Sequence, residues 1–201
     1  MAHETAQLYV RPDADRTVLA DALRATDGHC APNLAGCWGA GDYTWDALVP
    51  SSPSTITRLQ ALDGIARVDH VRYDPIASGM RDPQLRSGIK RTLFLRVQAD
   101  APPGAIAALE HALERMPHHL RGIRNWSLGR VCPANRWTHV WQQEFASVDD
   151  LLGEYMTHPY HWAWVDRWFD PECCQWIVDT ALSHAFCRVE TSVLARSHQP
   201  I

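Results

Sequence analysis

The chain is almost without lysine: 19 residues are Lys or Arg, and the only Lys is Lys90. That scarcity leaves little scope for Schiff-base chemistry. A basic excess is missing too. Nineteen Lys and Arg face 23 Asp and Glu, a net charge of −4, which speaks against a nucleic-acid partner. No stretch approaches the length of uninterrupted apolar sequence that crosses a bilayer, so no membrane-spanning helix is expected. The opening residues, Met1-Ala2-His3-Glu4-Thr5, carry neither the basic nor the apolar part of an export signal, and a cytoplasmic location is expected. Cysteine is present but unpatterned. Cys30 and Cys37 lack a zinc-site spacing, and Cys173-Cys174 are adjacent, a poor geometry for a chelate or an ordinary disulfide. Reduced, mostly buried thiols are expected.

What the chain has in abundance is tryptophan and histidine, nine and 11 in 201 residues. Hydrophobic residues make up 46% and charged ones 21%, an ordinary globular balance. Together these point to a bulky aromatic interior that holds titratable groups.

The coarse pattern of elements occurs twice. In the first half, Gln7–Val10 reads as a strand and Asp15–Ala25 as a helix. The Gly- and Trp-rich stretch Asn33–Val49 reads as two short strands around Gly39-Ala40-Gly41, Ser54–Leu62 as a helix capped by Ser54, and Ile65–Tyr73 as a strand. Asp74–Gly88, with two prolines and two glycines, reads as a linker. In the second half, Arg91–Val97 is a strand. Pro102–Met116 is a helix opened by two prolines, with Ile106, Leu109, Leu113 and Met116 on one stripe. Ile123–Val131 and Trp137–Phe145 are strands around a turn at Cys132–Asn135. Val148–Thr157 and Pro159–Phe169 are helical pieces, and Ser183–Glu190 closes the half as a strand. The expected class is α+β. Two ferredoxin-like βαββαβ halves, residues 1–80 and 88–201, bury their bare sheet faces on each other as an intramolecular dimeric α/β barrel.

The chemistry-bearing stretch is Trp137–Trp164. Tyr155, His158 and His161 are spaced i, i+3, i+6. Pro159 disfavours helix at His158 and starts a new one, so His158 becomes cap-like and His161 is re-aimed. His139 falls on the preceding strand, on one face with Trp137, Trp141, Gln143 and Phe145. If that face points inward, three histidines and a tyrosine meet among tryptophans. His118, His119 and His184 carry no assigned chemistry, and Glu110 and Arg115 read as a solvated helix face.

Phe145-Ala146-Ser147, the leucines at 151 and 152, and Tyr155-Met156-Thr157-His158-Pro159-Tyr160-His161 resemble the stress-responsive dimeric α/β-barrel (Dabb) family, whose pattern ends in Y-x-x-H-P-x-H. The resemblance covers Arg91–Glu190, with an unusually long stretch at Asp170–Leu182. It implies a ferredoxin-like fold with a pocket between helix and sheet. In the olivetolic acid cyclase branch the second His of the motif is the base and the Tyr six residues earlier the polarising acid. Carried over, these are His161 and Tyr155. The first half lacks the motif and stands where the second subunit of a family homodimer would stand, which predicts one pocket per chain.

The resulting expectation is a cofactor-independent lyase, cyclase or isomerase. It would move protons beside the carbonyl of a hydrophobic, aromatic or polyketide-like small molecule. His161, Tyr155, His158 and His139 are the catalytic candidates. Trp141, Trp137, Trp162, Trp164 and Phe94 are the substrate-binding candidates. No cofactor, nucleic acid or membrane is expected as a partner, and the chain is expected as a monomeric pseudo-dimer or a homodimer. Two alternatives stay open: a non-catalytic stress barrel or carrier of a hydrophobic ligand, and a metal enzyme using His139, His158 and His161.

Overall fold

The computed structural model describes residues 3–48, 53–133 and 135–197, and only the backbone of Pro53 and Ser54. The expected Ser54 cap, and Ala134 of the expected turn, lie outside the described residues. The first half comprises β1 (His3–Val10), α1 (Arg16–Arg24), β2 (His29–Pro32), β3 (Tyr43–Asp46), α2 (Pro53–Ala61) and β4 (Ile65–Met80). The second comprises β5 (Arg86–Leu95), α3 (Pro103–His119), β6 (Ile123–Val131), β7 (His139–Phe145), a broken helical segment containing α4 (Tyr155–Thr157), and β8 (Ser183–Thr191), after which comes α5 (Val193–Ser197).

All eight strands form one sheet in the order β2-β3-β1-β4-β6-β7-β5-β8, every pair antiparallel. Within each half the first strand lies between the third and the fourth, the ferredoxin-like arrangement. The two edges of the sheet approach each other. Beyond β2, the amide of Leu34 donates to Phe186 O (2.9 Å), and Trp38 and His184 exchange both backbone hydrogen bonds (2.8 and 2.7 Å). The sheet is therefore a nearly closed barrel with helices outside, an α+β dimeric-barrel architecture contained in one chain.

Local chemistry explains the helices. Asp15 Oδ1 accepts from the amides of Thr17 and Val18 (2.9 and 3.1 Å), an N-cap worth about 1 kcal/mol, and α1 buries Leu19 and Leu23 beneath it. Pro103 opens α3, where a missing amide costs nothing, and Leu109, Leu113 and Met116 face the sheet. Each such leucine contributes roughly 1.5–3 kcal/mol through burial.

Three expectations change. The stretch Asp74–Gly88 is not a linker. β4 runs on to Met80 and β5 begins at Arg86, so only the short turn between them connects the halves. The first part of β4 pairs with β1, and from Tyr73 onward it pairs with β6, which makes it the seam. Pro75 sits at a bulge beyond the reach of β1, where its lost donor is harmless. Gly79 lies under the indole of its cross-strand partner Trp126, and a Cβ there would enter the ring. Gly79, which reads as linker, is a strand residue beneath an aromatic neighbour. Second, β2 lies at His29–Pro32, ahead of the region expected to hold it, and only β3 of the expected pair lies within Asn33–Val49. Third, β7 begins at His139, and Trp137 turns to the other side of the sheet, packing on Phe94 at a ring distance of 5.9 Å.

The barrel interior, where the halves meet, joins an apolar cluster (Val71, Tyr73, Phe94, Trp137 and Val140) to a polar network. Lys90 is wholly buried and donates to Asp46 Oδ1 (2.9 Å) and Thr92 Oγ1 (2.7 Å). Gln142 donates to the same carboxylate (3.0 Å) and accepts from the Tyr73 hydroxyl (2.8 Å). Glu144 accepts from Asn125 and Ser192 and from the first two amides of α5. Outside the sheet, the first half is packed by Leu8, Leu19, Leu23, Trp45, Leu59 and Ile65. All six cysteines are free, but only Cys187 is fully buried, and Cys132 and Cys174 are exposed, so the thiols are less hidden than expected. No helix among the described residues is long and apolar enough to cross a membrane.

Candidate active site

The segment after β7 is helical but irregular, and the irregularity positions the site. Asp150–Glu154 forms a π-helical turn, closed by the Tyr155 amide on Asp150 O, and His161–Val165 forms another, closed by the Asp166 amide on His161 O. Such wide turns shift the side chains that follow and frequently mark functional sites. Between them, His158 leaves the helix (φ −68°, ψ 132°) ahead of Pro159. Its Nδ1 accepts from the Tyr160 amide (3.1 Å), so His158 caps the second helical piece.

The result brings Tyr155 and His161 together, ring centroids 4.7 Å apart, on the helix-facing side of the second-half sheet. They line a cavity of about 370 Å³, within the range of small-molecule sites. Leu93, Leu113, Trp141, Val165, Phe169 and Leu182 form its apolar wall. Gly36 and Trp38 of the first half complete it. Gly39 adopts φ +62°, and a Cβ there would collide with the Leu182 carbonyl, so glycine lets this covering segment lie against the strand.

Two features of His161 matter. It is nine-tenths buried, and its Nδ1 has no hydrogen-bond partner among the described residues. Asp166 Oδ2 lies 3.4 Å from that nitrogen without hydrogen-bond alignment, close enough for a small rotation to make the bond. Tyr155 is buried edge-on against Phe145 (5.3 Å). Burial raises its pKa and outweighs the nearby Arg91 charge, so the phenol keeps its proton and remains a donor.

The other expected site residues lie elsewhere. His139 is on the helix-facing side but farther along β7, where it meets Glu110 (2.9 Å) and Thr138 (2.9 Å). Burial lowers its pKa despite Glu110. Glu110 is no solvated face residue, since it takes Arg130 through two bonds (2.6 and 2.7 Å) and His139 through a third. His158 is spent on its cap. Phe94 and Trp137 face the barrel interior side. Trp162 and Trp164 are 59% and 53% exposed on the outer surface. Of the proposed aromatic lining, Trp141 alone borders the cavity. His139, His158 and His161 do not converge, and among the described residues no group of three or more His, Cys, Asp or Glu is placed to hold an ion.

Two cavity residues carried no sequence expectation. Arg91 is 5% exposed, and His184 lies beside it on β8. The Arg91 Nε–H donates to His184 Nε2 (2.7 Å), and Nη1 donates to Gln143 Oε1 (2.8 Å). Burial and the Arg91 charge push the His184 imidazole down to about 3, so it is neutral and accepting. The detectable signal was the Lys90-Arg91 pair itself: two charges in succession at the start of an otherwise apolar strand must put one on each face.

Comparisons with known proteins follow this division of the chain. Among curated proteins none matches the sequence. Solved structures share the fold at low identity. A protein of Fusobacterium nucleatum, named provisionally as a monooxygenase, superposes with a TM-score of 0.60 at 8% identity, covering 94% of this chain and 92% of its own. An anthrone oxidase-like protein gives 0.60 at 10%, covering 94% and 90%. A similarly named protein of Lactobacillus acidophilus gives 0.54 at 8%, covering 94% and 93%. Such likenesses establish the fold alone. The sequence match lies in the half that holds Tyr155 and His161: residues 89–179 fit the family model Dabb, described as the stress responsive A/B barrel domain.

Proposed function

We propose that the chain is an enzyme that moves a proton beside the carbonyl of a hydrophobic small molecule, with His161 as base and Tyr155 as hydrogen-bond donor to the oxygen that becomes negative. The observation that carries this reading is the free edge of the imidazole: among the described residues His161 Nε2 has no hydrogen-bond partner, it is not among the polar atoms shut off from open space, and the ring lies beside Tyr155 in a cavity large enough for a substrate. A histidine held only for packing would have both ring nitrogens satisfied, as His139 does.

In the proposed reaction, Asp166 accepts from Nδ1–H once aligned, which leaves Nε2 as the base. That nitrogen takes the proton from the carbon next to the carbonyl. The electrons of the broken C–H bond become the C=C bond of an enolate, and its oxygen accepts from the Tyr155 hydroxyl. The apolar wall limits competing water and strengthens both contacts. Cyclisation, cleavage or isomerisation would then follow from where the enolate carbon delivers its electrons. No cofactor enters this scheme. A single small-molecule site per chain is part of the proposal, since the corresponding layer of the first half is filled by Trp45 and its neighbours.

Exchange of α-protons for deuterium in D₂O, followed by NMR on a panel of aryl ketones and keto acids, reads the first step whatever the later one. The wild-type protein should accelerate exchange. His161→Ala should slow it about 10²–10⁴-fold, and Tyr155→Phe should slow it less, both with unchanged folding. Wild-type exchange rates in His161→Ala, or no acceleration by the wild type on any member, would overturn the assignment. The absence of exchange combined with tight binding would favour the carrier reading instead.

A further inference from the structure

The cavity contains a buried cation that the proposed proton transfer does not require, Arg91. We propose that Arg91 binds the carboxylate of the ligand, so that the molecule taken by this cavity is a hydrophobic carboxylic acid. The inference deepens the function proposed above and rests on its reading of the cavity as a small-molecule site.

The reasoning starts from charge. Arg91 is a permanent cation with almost no exposure to water. Its two protein partners, His184 and Gln143, are neutral, and among the described residues no carboxylate lies within ion-pair distance of it. The nearest acid contributing to its environment is Asp166, half-exposed at the cavity edge. A buried charge left in this state is costly, and proteins ordinarily pair it. The pairing is absent here from the protein side alone.

Geometry says where the missing anion goes. Nε and one Nη1 hydrogen are committed. Among the described residues Nη2 has no hydrogen-bond partner, and it is not among the polar atoms shut off from open space. Arg91 borders the cavity, so its free edge is available to a ligand there. The guanidinium is fixed at two points, by His184 and Gln143, and a preorganised fork of this kind suits a planar carboxylate. Its carbon lies 5.4 Å from the Tyr155 ring centre, and that ring lies 4.7 Å from His161. A carboxylate held at Arg91 therefore leads the rest of the molecule past Tyr155 toward His161, with the apolar wall around its hydrophobic body.

Equilibrium binding of two inert probes tests this without turnover. 3-Phenylpropanoate and its uncharged amide are titrated calorimetrically into the wild type, Arg91→Gln and His161→Ala. The wild type should bind the acid about tenfold or more tightly than the amide, the worth of one charge-assisted contact. Arg91→Gln should lose that preference while keeping its melting temperature, because glutamine still offers a donor to His184 and removes an uncompensated charge. His161→Ala should keep the preference. Equal affinity for acid and amide in the wild type, or no binding of the acid at millimolar concentration, overturns the proposal. So does an Arg91→Gln protein that retains the preference. A lost exchange activity together with an intact acid preference would instead fault the acid–base reading and leave the carboxylate site standing.

Discussion

Lys90 and Arg91 are neighbours on β5 and both are buried cations, yet they lie on opposite faces of the strand and are treated in opposite ways. Lys90 enters the barrel and finds Asp46 of the other half, with Thr92 beside it. Its charge is neutralised, and the pair ties the two halves together across their interface. Arg91 turns to the helices, finds only neutral acceptors, and faces a cavity. One peptide bond separates a structural cation from a cation with an unmet need. Proximity in sequence and equal burial do not decide which buried charges serve binding. Their hydrogen-bond partners do.

The largest expected effect tests the closed side. Asp46→Asn strips Lys90 of its counter-charge and should cost about 3–5 kcal/mol in urea unfolding, since it strands a buried cation. A loss below about 1 kcal/mol would mean that the barrel interior admits water and that the contrast with Arg91 is weaker than the packing shows. Acid sensitivity sharpens the open side. His184 titrates at about 3 in the fold, below an unfolded histidine near 6.5, so the unfolded chain takes up the proton first. Its contribution is complete above about 6.5 and falls by about 1.4 kcal/mol per pH unit from there toward 3. His184→Gln, which preserves an acceptor for Arg91, should make the stability–pH curve shallower over that window; an unchanged slope would show that His184 is protonated in the native protein. A smaller effect is expected for Arg91→Gln in the absence of ligand, less than about 1 kcal/mol. A loss matching that of Asp46→Asn would erase the distinction between the neighbours. The smallest change belongs to Trp162→Ala. Its ring is on the outer surface, so stability should move by no more than about 0.5 kcal/mol and carboxylate binding should be unaffected.

The architecture was largely legible because it rests on periodicity. Strands such as Ile123–Val131 and the α3 stripe Leu109, Leu113 and Met116 announce themselves by spacing alone. The seam was hidden because Pro75 and Gly79 carry the signature of a linker, and only the ring of Trp126 across the pair explains the glycine. The site was half legible. Tyr155 and His161 stand in a recognisable motif, and Pro159 marks the helix break. The π-helical turns that swing both side chains to one cavity leave no periodic trace. His139 was misplaced because sharing a strand face fixes a side of the sheet but not a distance along it, and Glu110 on α3 claims it first. Arg91 and His184 come from different strands, so their meeting is a tertiary fact with no local sign.

The continuous passage of β4 from one half to the other has a consequence for how this molecule can change over generations. In an assembly of two identical subunits every substitution appears twice, so a residue good for covering a pocket is imposed on the pocket of the twin as well. Here Trp38 and His161 belong to separately inherited positions. The cover can be reshaped to admit a different guest without disturbing the imidazole, and the imidazole can be altered without rewriting the cover.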